Sequence, residues 1–396
     1  MRLYLNALGT VNALGRGKDE ILPNLLAGNK SGIRMLPDVL ASGEPIPFGA
    51  VSAELDAVPE CFRSIESRNL ALALTALNEI KDEVEHAIKA YGPTRVAVVA
   101  ASSTAGAEEG EKALKAYQTD GSFPKGYRFE RQEMGTVGLS IADYFGLGAP
   151  AITLSTACSS SAKAFASAAR LIRANIVDAV IVGGVDSYCR MTLNGFDALS
   201  ALSHTACLPF SKNRDGTVLG EGAAFFLMTK EPGPIFLAGV GQTSDAHNMT
   251  APHPEGAGAH GAMKAALSEA QIQAQDVDYV NMHGTGTRLN DAAEAKAVER
   301  IFGADVPCSS TKALTGHTLG AAGAIEAALC WLLVSDLNRD HVLPAHIWDG
   351  CADLDMPPIG LLQSEGKFKS AGPLWCMSNS YAFGGSNASV IIGRVD

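Results

Sequence analysis

The stretch STACSSSAKAF, residues 155–165, sets a single cysteine, Cys158, among small residues at the point where one pattern gives way to another. Before it, APAITLS (149–155) is a short apolar run of strand length. After it, SSSAKAFASAARLIRAN (159–175) is alanine-rich with apolar residues at helical spacing. The pair predicts a buried strand leading through a tight turn into a helix, with Cys158 at the helix's first turn. Unsatisfied backbone N–H groups and the positive end of the helix dipole favour a thiolate there, so a depressed thiol pKa and a nucleophilic sulfur are expected. The Cys158 amide can also face an oxyanion. One cysteine alone is more often a buried structural residue, so its role must be argued from the rest of the chain.

Working outward, short apolar runs alternate with longer helical patterns. RLYLNALG (2–9), RVAVVAAS (95–102), DAVIVGGV (178–185) and AAFFLMTKE (223–231) read as strands, and LALALTALNEIKDEVEHAIKAY (70–91) as helix. Unbroken apolar strands between helices predict an α/β fold whose sheet is covered on both faces. KEPGP (230–234) interrupts the pattern, and the second half then echoes the first. IFLAGVGQTSDAHN (235–248) matches LYLNALGTVNALG (3–15), and DYVNMHGTGT (278–287) matches TRVAVVAASST (94–104). PCSSTKALTGHTLGAAGAIEAALCWLL (307–333) matches PAITLSTACSSSAKAFASAARLI (150–172), and ASVIIGRVD (388–396) matches AAFFLMTKE. Two related α/β halves are therefore expected, residues 1–232 carrying the nucleophile and 233–396 carrying two histidines.

The second half brings further chemistry to equivalent turns. NMHGTGT (281–287) places His283 past a strand, with two threonines and two glycines after it. STKALTGHTLGAAGAIE (310–326) carries Lys312 and His317 ahead of a small-residue helix. A nucleophile with a proton-handling partner is the usual covalent-catalysis arrangement. Each histidine alone is as readily structural, and Lys312 alone is most simply a surface or ion-pair lysine; their joint occurrence carries the signal. MSNSYAFGGSNAS (377–389) adds a glycine turn after an aromatic.

The 396 residues, 47% hydrophobic and 18% charged, can build a large core. Thirty-one basic against 42 acidic residues give a net charge of −11, which argues against nucleic acid or an anionic membrane as a general partner. Eight cysteines without a CxxC pair read as reduced thiols in a cytoplasmic protein. The N-terminal residues lack a signal-peptide pattern, and the apolar run AALCWLLV (327–334) is too short for membrane insertion.

TACSSS, PFSKNRDGTVLGEGAA, HGTGT, KALTGHTLGAAG and NSYAFGG, in this order, resemble the β-ketoacyl-acyl-carrier-protein synthases of the elongating type. The resemblance covers nearly the whole chain and implies the thiolase fold, five αβαβα layers built from two related halves. It implies that Cys158 takes an acyl chain from a carrier-protein thioester, and that His283 and His317, as neutral donors, bind the malonyl thioester carbonyl. Lys312 then tunes the field and pairs with Glu326. The amides of Cys158 and Phe383 form the oxyanion hole, with Phe383 also gating the acyl pocket. Thr285 and Thr287 hold the phosphopantetheine arm, and Phe196 and Met134 are candidates for the acyl-pocket wall, which relatives build across a dimer interface.

No cofactor is implied beyond the carrier's phosphopantetheine, and no catalytic metal; Asn281, Glu326, Ser378 and Asn379 match a structural cation site of some relatives. Carrier proteins are acidic, so Arg63, Arg68, Lys125, Arg128 and Arg131 are docking candidates. The resemblance further implies a homodimer or a heterodimer with a related subunit. Tyr381-Ala382-Phe383 stands where the family commonly has Phe-Gly-Phe, and Gly384-Gly385-Ser386 where it has Gly-Gly-Thr. These departures point toward a specialised aryl-polyene or polyketide substrate, with alanine restricting the hinge if a positive φ is required there. A thiolase would need a second cysteine by the C-terminal glycine turn, an initiating enzyme an asparagine in place of His317, and a noncatalytic partner subunit typically lacks the nucleophile. Neither a GxSxG elbow nor a sound dinucleotide glycine pattern is present.

Overall fold

In the computed structural model, which describes residues 1–369 and 372–395, ten strands follow one hydrogen-bonded path. The first half supplies β1 (Leu3–Asn12), β2 (Val96–Ala101), β3 (Ala151–Leu154), β4 (Ala179–Asp186) and β5 (Gly222–Thr229). The second supplies β6 (Ile235–Ser244), β7 (Tyr279–Asn281), β8 (Cys308–Ser309), β9 (Leu374–Ala382) and β10 (Ser386–Arg394). Their spatial order is β3-β2-β4-β5-β1 in one half and β8-β7-β9-β10-β6 in the other, the same arrangement twice. In both halves the β2/β3 and β7/β8 pairs are parallel, whereas β4/β5 and β9/β10 are antiparallel. The halves join where Leu3 and Tyr4 pair with Leu237 and Phe236. Complete burial of AVIVGGVD in β4 and GAAFFLMT in β5 explains their unbroken apolar sequence, since both sheet faces are covered.

The helices that cover them are α1 (Arg68–Asn78), α2 (Met134–Phe145), α3 (Ser160–Arg173), α4 (Ala257–Ala270), α5 (Arg288–Phe302), the single turn α6 (Lys312–Thr315) and α7 (Ala322–Val334). Helices α3 and α7 pack on each other and touch strands of both halves, so they form the middle layer. Helices α1 and α2 cover the outer face of the first half; α4 lies on β6 and β10 with α5 against it. The result is the expected five-layered αβαβα thiolase architecture. Position explains composition: α7 reads AGAIEAALCWLLV and is apolar nearly all round because it lies at the centre of the molecule. A Cβ on Gly323 would lie 2.7 Å from the Ala162 amide nitrogen, so the absent side chain sets the close approach of α7 to α3. Among the described residues no helix is long and apolar enough to cross a membrane.

Candidate active site

The turn that carries Cys158 is tightly held. Between β3 and α3 the chain passes through Ala157 at φ 51°, a left-handed conformation that L residues adopt at a cost. The Ser160 amide donates to the Ala157 carbonyl (3.1 Å), and the Ser159 hydroxyl donates to the Thr156 carbonyl (2.9 Å) and shares a hydrogen bond with Ser386 of the second half (2.9 Å). These contacts aim Cys158 at the junction between the halves, 3.0 Å from His317 Nε2. The backbone N–H groups of Phe383 and of Cys158 itself face the sulfur. The expected depressed thiol pKa is not found. Burial pushes the thiol up to about 12, outweighing the Lys312 charge and the two amides that favour the thiolate. The helix terminus is where the sequence puts it, but the second half closes over it and removes the water that would stabilise a thiolate.

His283 follows β7, and the next residue, Gly284, has φ 33°. The amides of His283 and Gly284 donate to Glu294 Oε1 and Oε2 on α5 at 2.8 and 2.7 Å, fixing the turn. His317 lies between α6 and α7; its amide donates to the Val218 carbonyl (2.7 Å) and its carbonyl accepts from Gly220 (3.0 Å). Lys312, fully buried on α6, donates to Glu326 of α7, and its Nζ lies 3.4 Å from His283 Nδ1. An ammonium can only donate, so Nδ1 is the acceptor and Nε2 carries the proton of neutral His283. Burial first, and then the Lys312 charge, push both histidines well below the ordinary imidazole range. The site therefore offers a thiol beside two neutral imidazoles, with ring centroids of His283 and His317 5.4 Å apart.

Three carboxylates escaped the sequence reading. Glu294 is buried and pushed up to about 8 by desolvation, against the pull of its two amide donors. Asp291, one helical turn earlier on the same face, accepts from the Phe210 amide at 2.8 Å. Asp186, at the end of β4, accepts from Ser102, Ser103 and Thr104 after β2 and from the Ala321 amide at 3.0 Å, tying the first half to the start of α7. Acidic residues on an otherwise small-residue helix, DAAEAKA after HGTGT, are the available signal for the first two. Of the four proposed cation ligands, Asn281 Oδ1, Glu326 Oε2 and Ser378 Oγ are buried without a partner among the described residues. Such unsatisfied oxygens suit a hard monovalent or divalent cation. Asn379 fits less well, its amide engaged by Ser389 (2.8 Å) and Glu294 (3.4 Å).

Cys158, His283 and His317 open onto a cavity of about 330 Å³ that Phe196, Phe383, Thr285 and Thr287 also line. Phe196 stacks on Phe383 with centroids 5.4 Å apart, and the two threonine hydroxyls share a 2.9 Å hydrogen bond. Met134 does not reach this cavity; it packs half-buried on the core beneath α1 and α2. Ala382 is extended (φ −116°), so alanine imposes no hinge strain, and the residues of the turn at positive φ are Gly384 (φ 81°) and Gly385 (φ 73°). None of the five basic docking candidates lines the cavity. Arg68 is not a free docking residue, because it is committed to buried Glu221 at 2.7 and 2.5 Å. Arg63 and Arg128 pair with Glu60 and Glu130, Arg131 donates to the Ser64 and Arg63 carbonyls, and Lys125 is exposed.

Comparison with known proteins gives the same picture from outside. The sequence profile described as "Beta-ketoacyl synthase, N-terminal domain" matches residues 7–232, and "Beta-ketoacyl synthase, C-terminal domain" matches 236–345. The 3-oxoacyl-[acyl-carrier-protein] synthase 2 of Coxiella burnetii is 32% identical, over 100% of this chain and 99% of its own. Among solved structures, the ketosynthase ApeO in complex with its chain length factor ApeC, from Xenorhabdus doucetiae, matches at 45% identity and TM-score 0.95, covering 100% and 98% of the two chains. A β-ketoacyl synthase from Burkholderia phymatum matches at 27% and 0.88, with both chains covered in full.

Proposed function

The chain belongs to the β-ketoacyl synthase family, and from that premise we propose that it condenses a Cys158-bound acyl group with malonyl-acyl-carrier protein to give a 3-oxoacyl product. The observation that carries the reading is the thiol at 3.0 Å from one neutral imidazole and within reach of a second whose Nε2–H is fixed by Lys312.

In the first half-reaction the Cys158 sulfur bonds to the acyl carbon as the carrier thioester C–S bond breaks. Because burial keeps the thiol protonated at rest, its proton must leave as sulfur attacks. It ends on the departing carrier thiolate, while His317, 3.0 Å from the sulfur, keeps its own proton on Nε2 as the N–H donor that the second half-reaction needs. The amides of Cys158 and Phe383 hold the tetrahedral oxyanion. In the second, malonyl thioester loses CO2, and N–H donation from His283 and His317 stabilises the enolate oxygen. Neutral donors suit this step because a cationic imidazole would protonate the carbanion. The enolate carbon then bonds to the acyl carbon, the C–S bond to Cys158 breaks, and the departing thiolate takes up one proton from solvent, the proton that decarboxylative condensation consumes. Lys312, bound to Glu326, acts through the field it imposes and the His283 tautomer it selects. A cation held by Asn281, Glu326 and Ser378 would brace this pair and take no part in the transfer.

Similarity to a ketosynthase solved with a chain length factor supports a heterodimeric partner and a polyene- or polyketide-type chain rather than a housekeeping fatty acid. The test offers the protein, alone and with the partner subunit, a panel of acyl-carrier thioesters, weighs the intact chain, and then adds malonyl carrier. An adduct on Cys158 that disappears as 3-oxoacyl product forms is the expected result. No acyl transfer to Cys158 from any donor, with folded protein and partner supplied, refutes the catalytic reading.

A further inference from the structure

Of the charged side chains that line the cavity, Asp245 has partners within the protein, whereas exposed Asp215 and one cation have none among the described residues. Arg288, the first residue of α5, lines the outer wall directly after Thr285 and Thr287. Among the described residues that line the cavity it is the only permanently positive one. Its side chain is exposed and makes no ion pair or side-chain hydrogen bond among the described residues. Its backbone, by contrast, is anchored: buried Arg214, itself ion-paired to Asp353 at 2.5 Å, donates to the Arg288 carbonyl at 3.3 Å. One helical turn on, Asp291 receives the Phe210 amide and its own amide donates to the Thr287 carbonyl. A rigid backbone thus presents an uncommitted guanidinium at the cavity mouth. Of the lining carboxylates, Asp245 is already held by Asn387 and the His253 amide, and exposed Asp215 would repel an anion.

The substrate class in the preceding section supplies the anion. A phosphopantetheine thioester carries its thiol at one end and a phosphodiester at the other. Thiol chemistry at Cys158 and a neutral arm along Thr285 and Thr287 leave the phosphodiester toward the mouth. We propose that Arg288 is a positioning residue that binds the phosphodiester of the phosphopantetheine arm, its planar fork matching two phosphate oxygens. The inference rests on the condensing reading and adds a residue that the sequence reading did not assign. Its charge adds to the positive end of the fifteen-residue α5.

The experiment uses small donors, so that the carrier protein's acidic surface is absent. Acyl-phosphopantetheine and acyl-pantetheine, which differ only in the phosphate, are compared as donors to Cys158 in the wild type, Arg288→Ala and Arg288→Lys. Thiol release and intact mass are the readouts. The wild type should use the phosphorylated donor about tenfold better by KM, with kcat little changed. Arg288→Ala should erase that preference while leaving acyl-pantetheine turnover unchanged, and Arg288→Lys should restore part of it. A phosphate preference that survives in Arg288→Ala, or equal loss with both donors, overturns the proposal. So does a defect confined to carrier-borne donors, because the arginine then reads the carrier protein. Acylation of wild-type Cys158 by acyl-pantetheine reports on the condensing reading separately. If that donor works and no phosphate preference exists, only the arginine assignment falls.

Discussion

Replacing Lys312 by methionine isolates the buried pair at the centre of the site. The substitution keeps most of the side-chain volume and removes the ammonium, leaving Glu326 buried opposite a thioether. Breaking a buried ion pair from one side costs about 3–5 kcal/mol, because the remaining charge has lost its partner but not regained water. The carboxyl can escape this by taking a proton. Burial already raises Glu326 from 4.5 to about 7 with the ammonium opposing it, and removing that opposition moves it higher.

A carboxyl whose folded pKa exceeds its unfolded value contributes stability below the unfolded pKa and loses it as pH rises through the folded one. In the wild type the Glu326 contribution is spent by about pH 7; in Lys312→Met the loss continues above pH 7, at about 1.4 kcal/mol per unit. Urea unfolding at pH 6, 7, 8 and 9 measures this directly, with the wild-type curve subtracted to remove contributions that do not depend on Lys312. Lys312→Met should approach the wild type at pH 6 and fall progressively behind it to pH 9, and a second change, Glu326→Gln, should flatten the difference. A variant within 1 kcal/mol of the wild type at pH 9, or a slope that persists after Glu326→Gln, would show that the buried pair does not control stability as argued.

Other expectations concern separate parts of the molecule. Alkylation of Cys158 by iodoacetamide should accelerate about tenfold per pH unit from pH 7 to 10, since a thiol raised to about 12 has no plateau in that range; a plateau below pH 9 would mean the thiolate is stabilised after all. Arg68→Ala should cost roughly 3 kcal/mol in urea unfolding by stranding buried Glu221, and should leave the KM for carrier thioesters unchanged. A raised KM with intact stability would return Arg68 to the docking surface. Gly323→Ala should lower the melting temperature by several degrees, because its Cβ meets the backbone of α3 and the middle layer must separate to admit it. Unchanged melting would mean that α3 and α7 approach less closely than described.

The fold was legible where the sequence is locally consistent. Strand-length apolar runs, the echo of 150–172 in 307–333, and glycines and small residues at each polar turn all survive folding as β3 with α3 and β8 with α7. The positions of the candidate site residues were legible for a related reason: Cys158, His283, Lys312 and His317 each follow a strand or open a helix, so local pattern fixes where they emerge. What local pattern cannot convey is what arrives from elsewhere. The thiol pKa is set by how completely the second half covers a turn of the first, and Glu294, Asp186 and Asp291 act through backbone amides that carry no residue-type signal. Arg68 looked like one more exposed charge because Glu221, its partner, lies far along the chain. Met134 was assigned from resemblance alone, and its surroundings in this chain are core rather than cavity.

The strand β1 has a consequence for how the protein comes to be made. Apart from the short hairpin to Gly15–Arg16, its neighbours in the finished sheet are β5, at Gly222–Thr229, and the Phe236–Leu237 corner of β6, both far later in the chain. Its buried apolar residues, Leu3, Leu5 and Leu8 on one face and Val11 on the other, therefore have no sheet to settle into until β5 and β6 have been translated. Closing so long a loop is entropically slow, and an unpaired apolar strand in the interval is open to pairing with other chains. Expression in cells should accordingly depend on chaperones that shield unpaired nascent strands, and the seam where the two halves meet should be the last part of the molecule to zip shut.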